Sequence, residues 1–300
     1  MRHGRNKFYK FHIWCYFDNP HYIIFTARRN NGREVDARRA VWIKYPEIMT
    51  ESVKTKLKAL ARRYETASFL EGDPSKFMHL MKSEADMEAA AFTASALSFG
   101  SRAQFLPKIS HILDAAEGRP DEWIRTGAFK KTFRPNDKSC FYRFFTRGDM
   151  YSFFRAYANV MRSHGTLGGF VKSACGGDGV EAVKTICRRF SQEGSTGVIP
   201  KDGSSACKRV CMFLRWMVRS GSPVDLGLWA DFIDRRTLVI PLDTHVLQHA
   251  KKLGLIKSAC SSMASARRLT AALAEVFPDD PVKGDFALFG HDVNAGGNAD

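Results

Sequence analysis

The sequence predicts an all-α fold with a short, β-rich N-terminal appendage, and two observations carry that prediction. From Met49 to the C-terminus, apolar residues recur at helical spacing in one segment after another. Residues 1–48 lack this period: FYKFHIWCYF, HYIIFTA and AVWIKY are aromatic and β-branched, are separated by polar turns such as NNGREVD, and read as short strands. At 300 residues, 44% hydrophobic and 26% charged, the chain has an ordinary globular composition and can bury a substantial core, so fold class rests on patterning. The junction at Pro46 to Met49 divides the chain into 1–48 and 49–300. We expect Met49 to be the functional start, with the preceding residues a small appendage or upstream sequence.

The first helix is MTESVKTKLKALARRYETA, with Thr50 as its cap and Val53, Leu57, Leu60, Ala61 and Tyr64 on one face. DMEAAAFTASALSFG, nearly all small and apolar, is expected at the centre of the bundle and to end at Gly100. SRAQFLPKISHILDAAEG turns Phe105, Ile109, Ile112 and Leu113 inward and stops at Gly118. Its Pro107 lacks the donor that a helix interior needs, so the helix is expected to start close to it. DEWIRTGAF, NDKSCFYRFFTR and DMYSFFRAYANVMRSH carry aromatic stripes at helical spacing, which read as core before they read as base-stacking platforms. Lys130, Lys131 and Arg134 precede Pro135 in a loop, as a solvated surface or as phosphate contacts. TLGGFVKSACGGDG reads as a Gly-rich interruption without the Lys-Ser/Thr ending of a phosphate-binding P-loop. DGVEAVKTICRRFSQEG is a further amphipathic helix, with Val180, Val183, Cys187 and Phe190 inward.

A formal charge of +15 predicts attraction to polyanions, most simply nucleic acid. Residues 1–48 hold ten Lys/Arg and four Asp/Glu, so the remaining 36 basic and 27 acidic residues still carry +9, and the basic character is not confined to one end. Seven scattered cysteines without a C-x-x-C pair argue for a reducing compartment and against a disulfide framework, a zinc site or an iron–sulfur cluster. No apolar run has membrane-spanning length and no signal-peptide pattern is present. The expectation is a cytoplasmic, nucleoid-associated monomer that meets double-stranded DNA and no membrane, with no cofactor and no metal.

Two stretches carry the chemistry. SSACKRVCMFLRWMVR is an amphipathic helix with Lys208 close to its start, and VIPLDTHVLQHAKKLGL delivers Asp243 from a short apolar run to the start of a second helix. The separation of 35 positions lets a helix run out, turn over and bring its partner back. The preceding loop, with Lys201, Gly203, Ser204 and Ser205 ahead of Arg209, offers backbone N–H groups and a helix start, both of which suit a DNA phosphate. Helix, Gly-bearing hairpin, helix with an early lysine, then apolar-Pro-Leu-Asp-Thr-His-Val resembles the helix-hairpin-helix/GPD superfamily of base-excision DNA glycosylases. IPLDTHVLQHAKKLGLI is similar to that superfamily's Val-Asp-Thr-His-Val signature; SALSFGSRAQ is similar to its early helix and DPVKGDFALFGHD to its closing helix. The resemblance spans Ser83 to Asp292, and KR-x-x-MFLRWMVR followed by IPLDTH resembles a bacterial branch of conserved proteins.

This resemblance implies a two-lobed helical glycosylase-like fold with a helix-hairpin-helix element, Asp243 and Lys208 as catalytic residues, and a base pocket touching Trp216 and Gln104. The chain departs from the superfamily's Leu-Pro-Gly-x-Gly-x-Lys hairpin: Pro200 to Lys208 is longer and holds only Gly203. The stretched interval from Lys208 to Asp243 is similar to that of the archaeal 8-oxoguanine glycosylase branch, and the four-cysteine iron–sulfur loop of some members is absent.

Breaking an N-glycosidic bond builds positive charge on the sugar, which a carboxylate at Asp243 would stabilise. A neutral amine at Lys208 attacking the anomeric carbon would form a Schiff base and permit strand cleavage. Plainer roles stand beside these: Asp243 as a helix cap, Lys208 as a phosphate contact, His245 as a packed or capping residue, Trp216 as core. The expected function is a DNA repair N-glycosylase, with or without abasic-site lyase activity, on a damaged base turned out of the duplex, with oxidised guanine suggested by the stretched interval. The alternative is a non-catalytic nucleic-acid-binding protein on the same fold.

Overall fold

The computed structural model describes residues 22–23, 43–44, 49–195, 197–201, 205–257 and 260–295, with side chains described, within these, from Met49 to Phe289. The chain divides into two units, Met1–Thr50 and Glu51–Asp300. In the first, β1 (Tyr22–Ile23) pairs antiparallel with β2 (Ile43–Lys44), Tyr22 opposite Lys44 and Ile23 opposite Ile43. Both strands fall in runs expected to be extended, HYIIFTA and AVWIKY; FYKFHIWCYF lies outside the described residues.

The second unit is built from helices around α3 (Glu84–Leu97), in which every residue from Glu88 to Leu97 is buried. Ser83 opens α3 by accepting a hydrogen bond from the Asp86 N–H at 3.1 Å, an N-cap that satisfies an otherwise orphaned donor. Its alanines bring neighbouring backbones close, and its one large ring, Phe92, lies 4.9–5.5 Å from Phe153, Tyr157, Phe190 and Phe213. Those rings belong to α6 (Arg147–His164), α8 (Gly179–Gln192) and α9 (Lys208–Val218), so one side chain joins four helices. Burying a ring of this size contributes roughly 1.5–3 kcal/mol. Around this centre stand α2 (Lys76–His79), α4 (Arg102–Ala115) and α5 (Pro120–Arg125). α1 (Glu51–Tyr64) buries Leu57 and Ala61 and packs along α12 (Gly284–Ala295), which also meets α10 (Thr244–Lys252). α11 (Met263–Ala274) precedes α12.

Three expectations are corrected here. Pro107 does not lie at a helix start: α4 begins at Arg102, so the proline sits in the second turn and removes one bond to the Ala103 carbonyl. NDKSCFYRFFTR is not helical: β3 (Cys140–Tyr142) pairs antiparallel with β4 (Phe145–Thr146). Left-handed backbone at Asn136 (φ 61°) and Arg143 (φ 52°) breaks the helical path, Asp137 Oδ1 accepts from the Ser139 N–H at 2.9 Å to set the entry turn, and the aromatic residues suit the extended ladder. The Gly-rich TLGGFVKSA contains a helix, α7 (Leu167–Ala174). Its first N–H groups are held by the buried Glu88 carboxylate, which accepts from Leu167 at 2.9 Å, Gly168 at 3.0 Å and Trp229 Nε1 at 3.1 Å. Burial pushes the Glu88 carboxyl upward against the opposing pull of those bonds. A Cβ on Gly168 would stand 2.6 Å from Trp229 Nε1 and 2.9 Å from Glu88 Oε2, so this glycine serves close packing.

Candidate active site

Lys208 is the first residue of α9, and Cys207 before it adopts left-handed backbone (φ 47°, ψ 35°) that turns the chain sharply into the helix. Asp243 is the N-cap of α10. Its two oxygens have separate partners: Oδ1 accepts from the Val246 N–H at 2.9 Å, and Oδ2 lies 2.9 Å from Lys208 Nζ. Capping and ion pairing therefore coexist in one carboxylate. The side chains are 30% and 18% exposed, which leaves the pair open to a ligand on one side. Burial alone would raise the Asp243 carboxyl, but the Lys208 charge, the Val246 N–H and His245 outweigh it and hold the group below the usual carboxylate range.

The pair lies on a cavity of about 610 Å³, a volume within the range of small-molecule sites. Phe69, Phe99, Phe105 and Phe289 supply apolar walls. Charged groups converge on it as well: Asp73 and Arg102, themselves 3.5 Å apart, and Arg215 with Asp285. His245, expected as a packed or capping residue, is exposed in the first turn of α10 and lines the cavity, so the packed alternative does not hold.

Beneath the cavity runs a buried ionic network. Arg215, two turns along α9 from Lys208, donates to Asp225 Oδ1 at 3.2 Å and to Asp285 Oδ2, with its guanidinium 4.5 Å from the Phe286 ring centre. Arg219 donates to the second oxygen of Asp225, to Asp280 at 2.7 and 2.9 Å and to Glu65 at 2.7 Å; Lys283 closes on Glu65 at 3.0 Å. Such charges survive burial because each has a partner. Burial pushes the Asp285 carboxyl up to about 6; nearby Asp243 adds to the rise, and Arg215 opposes it.

The other expected site residues divide. Lys201 and Ser205 are exposed ahead of α9; Gly203 and Ser204 lie outside the described residues, and with them the hairpin of the expected helix-hairpin-helix element. Arg209 is not a surface phosphate contact: its guanidinium donates to the Ala96 carbonyl and to that of Gly197 at 3.4 Å, and it faces the rings of Phe99 and Phe145. Burial lowers its pKa to about 10, with Cys187 and Cys207 acting in the opposite direction. Trp216 is fully buried and does not line the cavity, because the face of α9 that carries it turns into the core. Gln104 is exposed on α4 and likewise off the cavity, whereas Phe105, one position on, lines it. Sequence reasoning passed over Asp285, Phe289, Phe99 and Arg102, although DPVKGDFALFGHD and SALSFGSRAQ contain all four. Among the described residues, no group of three or more His, Cys, Asp and Glu side chains is placed to hold a metal ion, and no helix is long and apolar enough to cross a membrane.

Fold and site together define an all-α protein with an aromatic-walled, charge-lined cavity centred on a lysine–aspartate pair. The chain belongs to the family described as a protein of unknown function, DUF2400, which matches residues 73–294. No curated protein and no solved structure matches it.

Proposed function

We propose that this chain is a DNA repair N-glycosylase with abasic-site lyase activity, acting on a damaged base turned out of duplex DNA into the cavity. The observation that carries the reading is the 2.9 Å contact between Lys208 Nζ and Asp243 Oδ2 at the edge of a cavity with aromatic walls. Bases present flat faces and hydrogen-bonding edges, so rings with a few converging polar groups suit one that has left the stack. The carboxylate of Asp243 stabilises the positive charge that develops on the sugar as the glycosidic bond breaks. The deprotonated amine of Lys208 bonds to the anomeric carbon as the base departs with a proton. Loss of a second proton from nitrogen with opening of the ring oxygen gives the Schiff base, from which abstraction of the neighbouring C2′ proton expels the 3′ phosphate. The formal charge of +15 supports attraction to the duplex. The reading includes a monomer working at the nucleoid, and an oxidised purine as substrate.

Borohydride trapping tests this. Wild-type protein incubated with duplexes carrying an abasic site or oxidised guanine should form a covalent adduct, and Lys208→Gln should form none. Equal trapping by both removes Lys208 from the reaction. Binding without trapping or excision on a panel of lesions assigns the fold to a non-catalytic binder instead.

A further inference from the structure

We propose that Cys187 and Cys207 form a redox-active thiol pair, which hydrogen peroxide converts to a disulfide that draws Lys208 away from Asp243. The thiol chemistry stands apart from the glycosylase reading, and only its effect on activity rests on that reading. The position of the two sulfurs is the starting observation. Cys187 is buried on α8 and Cys207 stands immediately before α9, and the Cys187 thiol donates to the Cys207 sulfur at 3.9 Å. Bonded sulfurs lie about 2 Å apart, so an approach of about 2 Å joins them.

Three features make Cys207 the sulfur that reacts first. It caps the start of the eleven-residue α9, whose N–H groups favour a thiolate over a thiol. The Arg209 guanidinium, two residues on, interacts with the charge of both Cys207 and Cys187 and so favours their ionised forms. The exposed Ser205 places its Oγ 3.5 Å from the Cys207 sulfur, which therefore lies one side chain from solvent although buried itself. Cys211, one turn along α9, differs: burial pushes its thiol up, Cys207 adds to the rise, and its sulfur donates to the Ala206 carbonyl at 3.5 Å. It stays protonated and outside the reaction. The Cys207 thiolate attacks a peroxide oxygen, and the O–O bond breaks to give a sulfenic acid and hydroxide. The Cys187 thiolate then attacks the sulfenic sulfur; the S–S bond forms and the S–O bond breaks. Each hydroxide takes up the proton that a thiol gave, so two thiols and one peroxide become a disulfide and two waters.

The disulfide acts on both members of the reacting pair. Cys207 holds left-handed backbone, which a residue with a Cβ adopts at a cost, and Lys208 is the next residue. The same loop is tied to the other partner: Ser205 forms an antiparallel bridge with Ser262, and Ser261 Oγ donates to the Leu242 carbonyl at 3.1 Å, one residue before Asp243. Drawing Cys207 toward α8 pulls on Lys208 directly and on Asp243 through Ser205. The 2.9 Å contact between Lys208 and Asp243 is shorter-ranged than that movement, and a misplacement of about 1 Å at a reacting group costs on the order of a hundredfold in rate.

The test treats the full chain, first reduced, with hydrogen peroxide, then alkylates it and maps the tryptic peptides by mass spectrometry. Arg188 and Lys201 put Cys187 and Cys207 in separate peptides, and Lys208 and Arg209 separate Cys207 from Cys211. Wild type and Cys211→Ala should each give one peptide pair joined through Cys187 and Cys207 and released by dithiothreitol. Cys187→Ala, its fold checked by melting, should instead leave Cys207 as a sulfenic acid that dimedone captures. Alkylation of both cysteines after peroxide, or joining of other cysteines in their place, overturns the proposal. Amine labelling, which needs no substrate, should find Lys208 more reactive in the oxidised protein because it has left Asp243; equal reactivity overturns the displacement. On an abasic duplex, oxidised wild type should give at least tenfold less borohydride adduct than reduced protein, dithiothreitol should restore it, and Cys187→Ala should be indifferent to peroxide. Absence of adduct in both redox states overturns the glycosylase reading alone, since the mapped disulfide and the labelling of Lys208 do not depend on it.

Discussion

Asp243 does two things with two oxygens, and substitutions can separate them. Asn keeps an acceptor for the Val246 N–H and loses the charge opposite Lys208; Ala loses both. Thermal unfolding at neutral pH should find Asp243→Asn less stable than wild type through the lost charge, and Asp243→Ala less stable again by about 1 kcal/mol, the value of an N-cap. On the proposed glycosylase reading, excision assays should find both reduced by roughly a hundredfold or more, because the transition state needs the charge. Two of the cavity's carboxyls, Asp243 and Asp285, respond oppositely to pH. Asp243, held low, stabilises the fold above its ordinary range and loses that contribution as pH falls through its folded value. Asp285, raised to about 6, contributes stability that is full below the usual carboxylate range and is lost as pH rises through about 6. Asp285→Asn cannot titrate, so between pH 4.5 and 7.5 the stability difference should move in the variant's favour by on the order of 2 kcal/mol. Urea unfolding at both pH values reads this directly, and an unchanged difference contradicts the placement of Asp285.

At the scale of elements, the contrast between α10 and the β3–β4 hairpin shows what the sequence could convey. An apolar run, an aspartate and a helical period place Asp243 at a helix start without any tertiary information, and α3 is equally legible because a helix apolar on all sides has to be central. The hairpin was hidden because CFYRFF satisfies helical spacing as well as strand propensity; the left-handed residues at Asn136 and Arg143 decide between them. α7 was hidden because its glycines look like a loop until Glu88 and Trp229 are brought against them from 79 and 61 residues away. Trp216 takes the core role weighed for it and not the base-pocket one, and Arg209 turns from phosphate to cavity wall, because helix phase cannot say which face meets a cavity rather than the core. Gly168→Ala tests the packing of α7 and should cost about 2–4 kcal/mol through overpacking and a displaced Glu88. A Tm close to wild type would contradict the close approach.

For the whole molecule, the ionic network sets how far a local change travels. Arg219 engages Glu65 after α1, Asp225 after α9 and Asp280 before α12. Arg219→Ala should destabilise the protein by about 3–5 kcal/mol by leaving buried carboxylates without a partner, measurable by denaturant unfolding. Binding to undamaged duplex should fall at least tenfold between about 50 and about 200 mM salt, as phosphate contacts require; salt-independent affinity would remove DNA as the partner.

The lining of the cavity follows a different rule from the outer surface. Asp73, Asp243 and Asp285 stand against Arg102, Lys208 and Arg215, so the interior is close to electrically balanced while the chain as a whole is strongly positive. A long polyanion is drawn to such a molecule, yet the cavity offers its phosphates no net attraction. An uncharged ring can enter and, once cut loose, leave without dragging against a counter-charge. On the proposed glycosylase reading, turnover is then limited by release of the strand from the outside of the protein, and raising the salt should hasten product release by the same screening that weakens capture.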